Sequence, residues 1–143
     1  MPEECIRVID GDDIVWMDQR YRLHGYDAPE ISNFRSKIDK DLERRRGYQA
    51  MLRLKTLISQ ARTLHLISVK PDPVFAKRRI GLLLIDGWDT ANWAIGEGWG
   101  VRFEDRKKID WGDPTLPFPK LPLPPAIEAE EEDYPARVKR GGR

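Results

Sequence analysis

The 143-residue chain has one cysteine, Cys5, and two histidines, His24 and His65. A lone thiol excludes an intramolecular disulfide and a thiolate zinc site. Two histidines so far apart in sequence suggest no metal motif of their own. No apolar run is long enough to span a bilayer. The sequence opens on charge and strand-like residues without a signal-peptide pattern. A cytoplasmic protein and an exported one trimmed before this numbering both remain open. Net charge is nearly absent at +1, but it is unevenly spread: residues 1–109 carry a small basic excess and 110–143 a small acidic one. Such a body is only weak evidence for an anionic substrate. The length favours one domain plus trimmings. Hydrophobic residues at 40% and charged residues at 34% suit a modest core under a heavily charged surface.

What is present has a clear order. "CIRVI" and "IVWM" read as strands on either side of the turn "DGDD", and "DQ" turns the chain into a third strand, "RYRLHG". On that strand Tyr21 and Leu23 share one face, Arg22 and His24 the other. From Lys40 to Gln60 the period changes. Tyr48, Met51, Leu52, Leu54, Leu57, Ile58 and Ala61 form a helical apolar stripe, with Asp39 or Asp41 as cap. "RTLHLISVK" and "RRIGLLLI" are the fourth and fifth strands, the latter closed by a "DG" turn. "DTANWAIGEG" reads as a short helix from Asp89 to Gly98. Residues 112–143 open with "GDPTLPFPKLPLPP", too proline-rich for helix or sheet interior, and continue in charge blocks. They form a tail with little periodic apolar surface, expected to be partly disordered. Five short strands with a helix after the third predict an α+β, mainly β domain over 1–111: an oligonucleotide-binding-type barrel with packed helices.

The chemistry lies in two clusters. "DGDD" places Asp10, Asp12 and Asp13 at the first turn, and "DAPE" places Asp27 and Glu30 at the end of the third strand. A meander can bring the two together. Converging carboxylates repel unless a cation sits among them, and a hard cation such as calcium takes carboxylate and backbone oxygens, including a carbonyl such as that of Ala28. Arg22 is close by, and "FAKRRIG" adds Arg78 and Arg79. A cation among carboxylates beside arginines suits phosphodiester chemistry, in which a carboxylate orients water and guanidiniums clamp the phosphate. Taken singly, each piece is ordinary: "DG" and "DD" are turn residues, and "AKRR" is a charge run of a kind common on surfaces. Order and spacing together set them apart.

That ordered set resembles the staphylococcal nuclease (thermonuclease) family. The resemblance rests on "VIDGDDIVW", "YRLHGYDAPE", the helix through "GYQAMLRLKTLI", the strand "RRIGLLLIDG" and the helix ending at "GEGWGVRF", and spans about Cys5 to Phe103. It implies an oligonucleotide-binding-type barrel with packed helices and a calcium-dependent nuclease that cuts DNA and RNA, leaving 3′-phosphates. It also implies roles: Asp12 and Asp27 as calcium carboxylates with the Ala28 carbonyl, Arg22 and Arg78 as phosphate-binding arginines, Glu30 as the residue that orients or activates water, and Asp10 behind them. Arg78, three residues before Gly81, fits the second arginine's place better than Arg79.

Three positions depart from the family pattern. Asp13 stands where threonine usually follows "DGD"; Ala76 and Lys77 replace the tyrosine and glycine before the second arginine; and the proline-rich tail takes the place of a third helix. Two rivals therefore stand beside the nuclease: a catalytically silent module binding nucleic acid or a protein, and a scaffold whose proline-rich tail docks on a partner.

Overall fold

The computed structural model describes residues 5–116. The architecture is mixed α+β. Strands β1 (Ile6–Asp10), β2 (Asp13–Trp16) and β3 (Gln19–Leu23) form the expected antiparallel meander. β4 (Tyr26–Asp27) follows, then helix α1 (Lys40–Gln60), strands β5 (Leu64–Pro71), β6 (Arg78–Ile85) and β7 (Trp88–Asp89), helix α2 (Thr90–Glu97), β8 (Val101–Arg102) and a 3₁₀ turn over Phe103–Lys108. The main sheet runs β1-β2-β3-β6-β5, with β7 beside β6, and β4 pairs with β8 in a small second sheet. Among the described residues no ladder joins β5 to β1, so no closed barrel is found. No described helix is long and apolar enough to cross a membrane. Most of the proline-rich and charged segment, residues 117–143, lies outside the described residues.

α1 begins where Asp39 accepts a hydrogen bond from the Leu42 amide at 3.0 Å, and acidic Asp41 and Glu43 occupy its first turn, where the helix dipole favours them. Tyr48, Met51, Leu54, Leu57 and Ile58 are buried as the stripe requires. α2 has Asp89 as its cap and ends at Gly98 in the left-handed region. The core gathers Ile14, Leu23, Tyr26, Leu54, Leu83, Ile85 and Trp99 between sheet and helices.

Two details differ from the sequence expectation. The hairpin from β2 to β3 turns on Met17 and Asp18, both at positive φ, rather than on "DQ"; a two-residue hairpin that follows the sheet's twist requires that conformation at both positions. The three two-residue strands were also not expected, because so short a run has no period to detect.

Two glycines set the geometry of the site. A Cβ on Gly11 would come within 2.7 Å of the Ala50 Cβ and 2.8 Å of the Ala28 Cβ. The first turn therefore presses on both α1 and the "DAPE" segment, and only glycine fits between them. The buried Tyr26 hydroxyl fastens the same turn by donating to the Gly11 carbonyl at 2.6 Å. One helical turn before Ala50, a Cβ on Gly47 would lie 2.7 Å from the Glu30 carbonyl oxygen.

Candidate functional site

This close packing brings the two acidic clusters together. Asp12 and Asp27 are almost wholly buried, and one guanidinium spans them: Arg22 Nη1 lies 3.4 Å from Asp12 Oδ2, and Nη2 lies 3.3 Å from Asp27 Oδ1. The Ala28 amide donates to Asp12 Oδ2 at 3.0 Å, tying the second cluster to the first. Asp10 sits behind, its Oδ1 accepting from the Asp12 amide at 3.1 Å. Glu30 is reached through Arg35, whose Nη2 lies 2.8 Å from Asp27 Oδ2 and 3.4 Å from Glu30 Oε2.

The parallel pairing of β3 with β6 positions the second arginine. Arg20 stands opposite Arg78 and Arg22 opposite Ile80, so Arg22 and Arg78 belong to one face. Arg78 gives Nε to Asp72 at 2.6 Å and Nη1 to Asp13 Oδ2 at 3.0 Å, and its guanidinium packs over the Phe75 ring. Arg79 instead bonds Ser68. Asp13 is thus an arginine clamp, taking Arg78 and, through both oxygens, Arg20.

These groups border a cleft of about 730 Å³. Arg22, Asp27, Glu30, Arg35 and Arg78 line one part, and Val74, Phe75, Ile80 and Phe103 give it an apolar wall. The 3₁₀ turn adds Arg106, which with Arg22 packs against Phe103.

Sequence reasoning missed three residues here. Arg35 comes from the loop between β4 and α1. Glu43, 1% exposed, accepts three backbone N–H bonds from that loop: from Glu30 at 3.3 Å, Arg35 at 3.0 Å and Ser36 at 2.9 Å. Asp72 accepts from the Val74 and Phe75 amides and from Arg78, shaping the turn before β6. One signal was available for Glu43: with Gly47, Ala50 and Leu54 it forms a stripe at helical spacing that begins with a carboxylate and two small residues.

The electrostatics separate these carboxyls into two kinds. For Asp72, the amides and the Arg78 guanidinium outweigh the burial that opposes them and hold its carboxyl below the usual range. The deeper group behaves otherwise. Burial, then the charges of Asp12 and Asp13, push Asp10 well up. Burial, then Asp12, raises Asp27 despite Arg35 and Arg22. Glu30 is pushed up to about 8, chiefly by burial and then by Asp12. Among the described residues, these contacts link seven carboxyls (Asp10, Asp12, Asp13, Asp27, Glu30, Glu43 and Asp72) with the guanidiniums of Arg20, Arg22, Arg35 and Arg78. Fully ionised, this set has more negative charge than its arginines offset. That imbalance favours retained protons or an added cation.

Among the described residues no set of three or more His, Cys, Asp and Glu side chains is arranged as a ready metal cage. The donor set nevertheless fits a hard cation in chemical type: all oxygen, two convergent buried carboxylates, and an excess of negative charge. The chain matches no protein-family model and no curated protein.

Proposed function

We propose that the protein is a calcium-dependent nuclease hydrolysing phosphodiester bonds of DNA, RNA or both, on an oligonucleotide-binding-type barrel with packed helices. The observation that carries this reading is the convergence of buried Asp12 and Asp27 on a single guanidinium, Arg22, at a cleft that also holds Glu30 and Arg78. Strand order and the parallel β3–β6 join support the barrel.

Asp12 and Asp27, with the Ala28 carbonyl, would hold the cation. Bound there, calcium would supply charge that polarises a phosphoryl oxygen and stabilises the transition state. Arg22 and Arg78 would grip the non-bridging oxygens with paired donors. Glu30 would accept a proton from the attacking water or orient it. With its carboxyl pushed up to about 8, Glu30 holds its proton at neutral pH. A cation beside it would favour the ionised form that a base requires. The mildly basic body would favour approach of a polyanion.

Incubating purified protein with plasmid and with single-stranded DNA, with calcium and with chelator, tests the reading. Calcium-dependent nicking and shortening support it, and intact substrates under all conditions refute it. One observation favours the silent binding module instead. Arg78 already spends Nε and Nη1 on Asp72 and Asp13, the latter standing where the family has threonine. Retention of labelled DNA without cleavage in the same assay would select that alternative.

A further inference from the structure

The side chain of Arg35 has no role in the scheme above, yet it sits at its centre. Its Nη2 is shared between Asp27 and Glu30, the two carboxyls to which that scheme gives different tasks. Its backbone is fixed, because the Arg35 amide donates to the buried Glu43 carboxylate. Its side chain is 46% exposed at the cleft, whereas those of Arg22 and Arg78 are 17% and 13% exposed. Nε and Nη1 of Arg35 make no hydrogen bond with the described residues. It is therefore an anchored, partly solvated fork with donors to spare, shared between two carboxyls at the edge of the cleft.

We propose that Arg35 is an exchangeable counter-ion and a third phosphate-binding arginine, resting on Asp27 and Glu30 until a divalent cation binds against Asp27 and then turning to the substrate phosphodiester. The inference rests on the nuclease reading and adds a residue to its binding machinery. Two cations drawn to one carboxylate repel each other, so Arg35 cannot hold Asp27 as firmly once a cation lies against it. The released guanidinium is tethered within reach of the cleft, and a phosphate oxygen there matches its paired donors. Arg35 should therefore oppose cation binding and favour substrate binding. A purely structural ion pair would not produce these two opposite effects.

The test compares wild type, Arg35→Gln and Arg35→Lys by two binding measurements, with melting to confirm the fold. Calorimetric titration with calcium chloride alone should show Arg35→Gln binding calcium more tightly, by about threefold to tenfold, the range expected for removing one partly screened ion pair. In saturating calcium, anisotropy of a labelled phosphorothioate single-stranded DNA should show the same variant binding more weakly, by about tenfold. Arg35→Lys keeps the charge and loses the fork, so its calcium affinity should stay near wild type while its DNA binding falls. Weaker calcium binding by Arg35→Gln, or DNA binding unchanged in both variants, overturns the proposal while leaving a calcium-binding, cleaving wild type and hence the nuclease reading intact. A wild type that binds no calcium and cleaves nothing overturns both. Should Arg35→Gln fail to fold, Arg35→Lys decides, and DNA binding equal to wild type refutes the role.

Discussion

Glu43→Gln is the substitution whose effect can be worked most completely from the structure. Glu43 Oε1 accepts from the Arg35 and Ser36 amides and Oε2 from the Glu30 amide. A glutamine that keeps its oxygen at the Oε1 position turns its amide nitrogen toward the Glu30 N–H, so that donor faces donor. One charge-assisted bond is lost, two become neutral, and one amide is left without an acceptor. A bond to a charged group contributes about 1.5–3 kcal/mol and an orphaned buried donor costs about 1–3 kcal/mol. A loss of about 2–4 kcal/mol is therefore expected, or roughly 10 °C in melting temperature for a domain of this size. The loop that loosens carries both Glu30 and Arg35, so turnover should fall further than the folded fraction does. Calorimetric melting and cleavage assays at a temperature where both proteins are folded separate the two effects. A variant that melts within about 2 °C of wild type, which at roughly 4 °C per kcal/mol is about 0.5 kcal/mol, would refute the claim that Glu43 organises this loop.

Gly11→Val places a branched side chain where even a Cβ lies 2.7 Å from Ala50 and 2.8 Å from Ala28. It should cost about 1–3 kcal/mol in denaturant titration and part Asp12 from Asp27; wild-type stability would contradict that packing. In cation-free protein, Glu30 has a folded pKa of about 8 against an ordinary 4.5. The folded state thus holds this proton more tightly, so its contribution to stability is complete below the ordinary value and is lost as pH rises through about 8. Melting temperature should fall across that window, and Glu30→Gln should flatten the slope; an unchanged slope would show that Glu30 is not its source. Arg78→Lys should reduce turnover by about a hundredfold, as removal of a transition-state donor does, whereas Arg79→Lys, on the other face of β6 with Ser68, should change it little. The reverse pattern in steady-state kinetics would reassign the second arginine.

The legible parts of the fold were those with a local period or a local cap. The stripe from Tyr48 to Ile58 and the caps Asp39, Asp89 and Gly98 are short-range features, and each appears in the described elements. The convergence of "DGDD" with "DAPE" could be anticipated because consecutive strands of a meander lie side by side. Arg35, Glu43 and Asp72 were not legible as site residues. Glu43 acts through amides 7 to 13 residues away across a loop, and Asp72 through a turn with no periodicity. Asp13 could be read as one more charge in a turn, but its partnership with Arg78 is set by the parallel β3–β6 join, which no local pattern reveals. The contacts that fasten residues 110–113 were also hidden. Trp111 and Gly112 are buried, the Asp110 carboxylate accepts from Ser36, Lys37 and Gly112, and Arg46 donates to the carbonyls of Trp111 and Asp113. Apart from the local Gly112 bond, these contacts span more than sixty residues of sequence, beyond the reach of a period or a cap.

The most direct test of the central claim is cleavage of an end-labelled single-stranded DNA by wild type and Asp27→Asn, first in excess chelator and then across a calcium titration. The account predicts no cleavage in chelator, a saturable rise with calcium for wild type, and little or none at any calcium concentration for Asp27→Asn. Cleavage that persists in chelator, or an Asp27→Asn curve that overlies wild type, would contradict it.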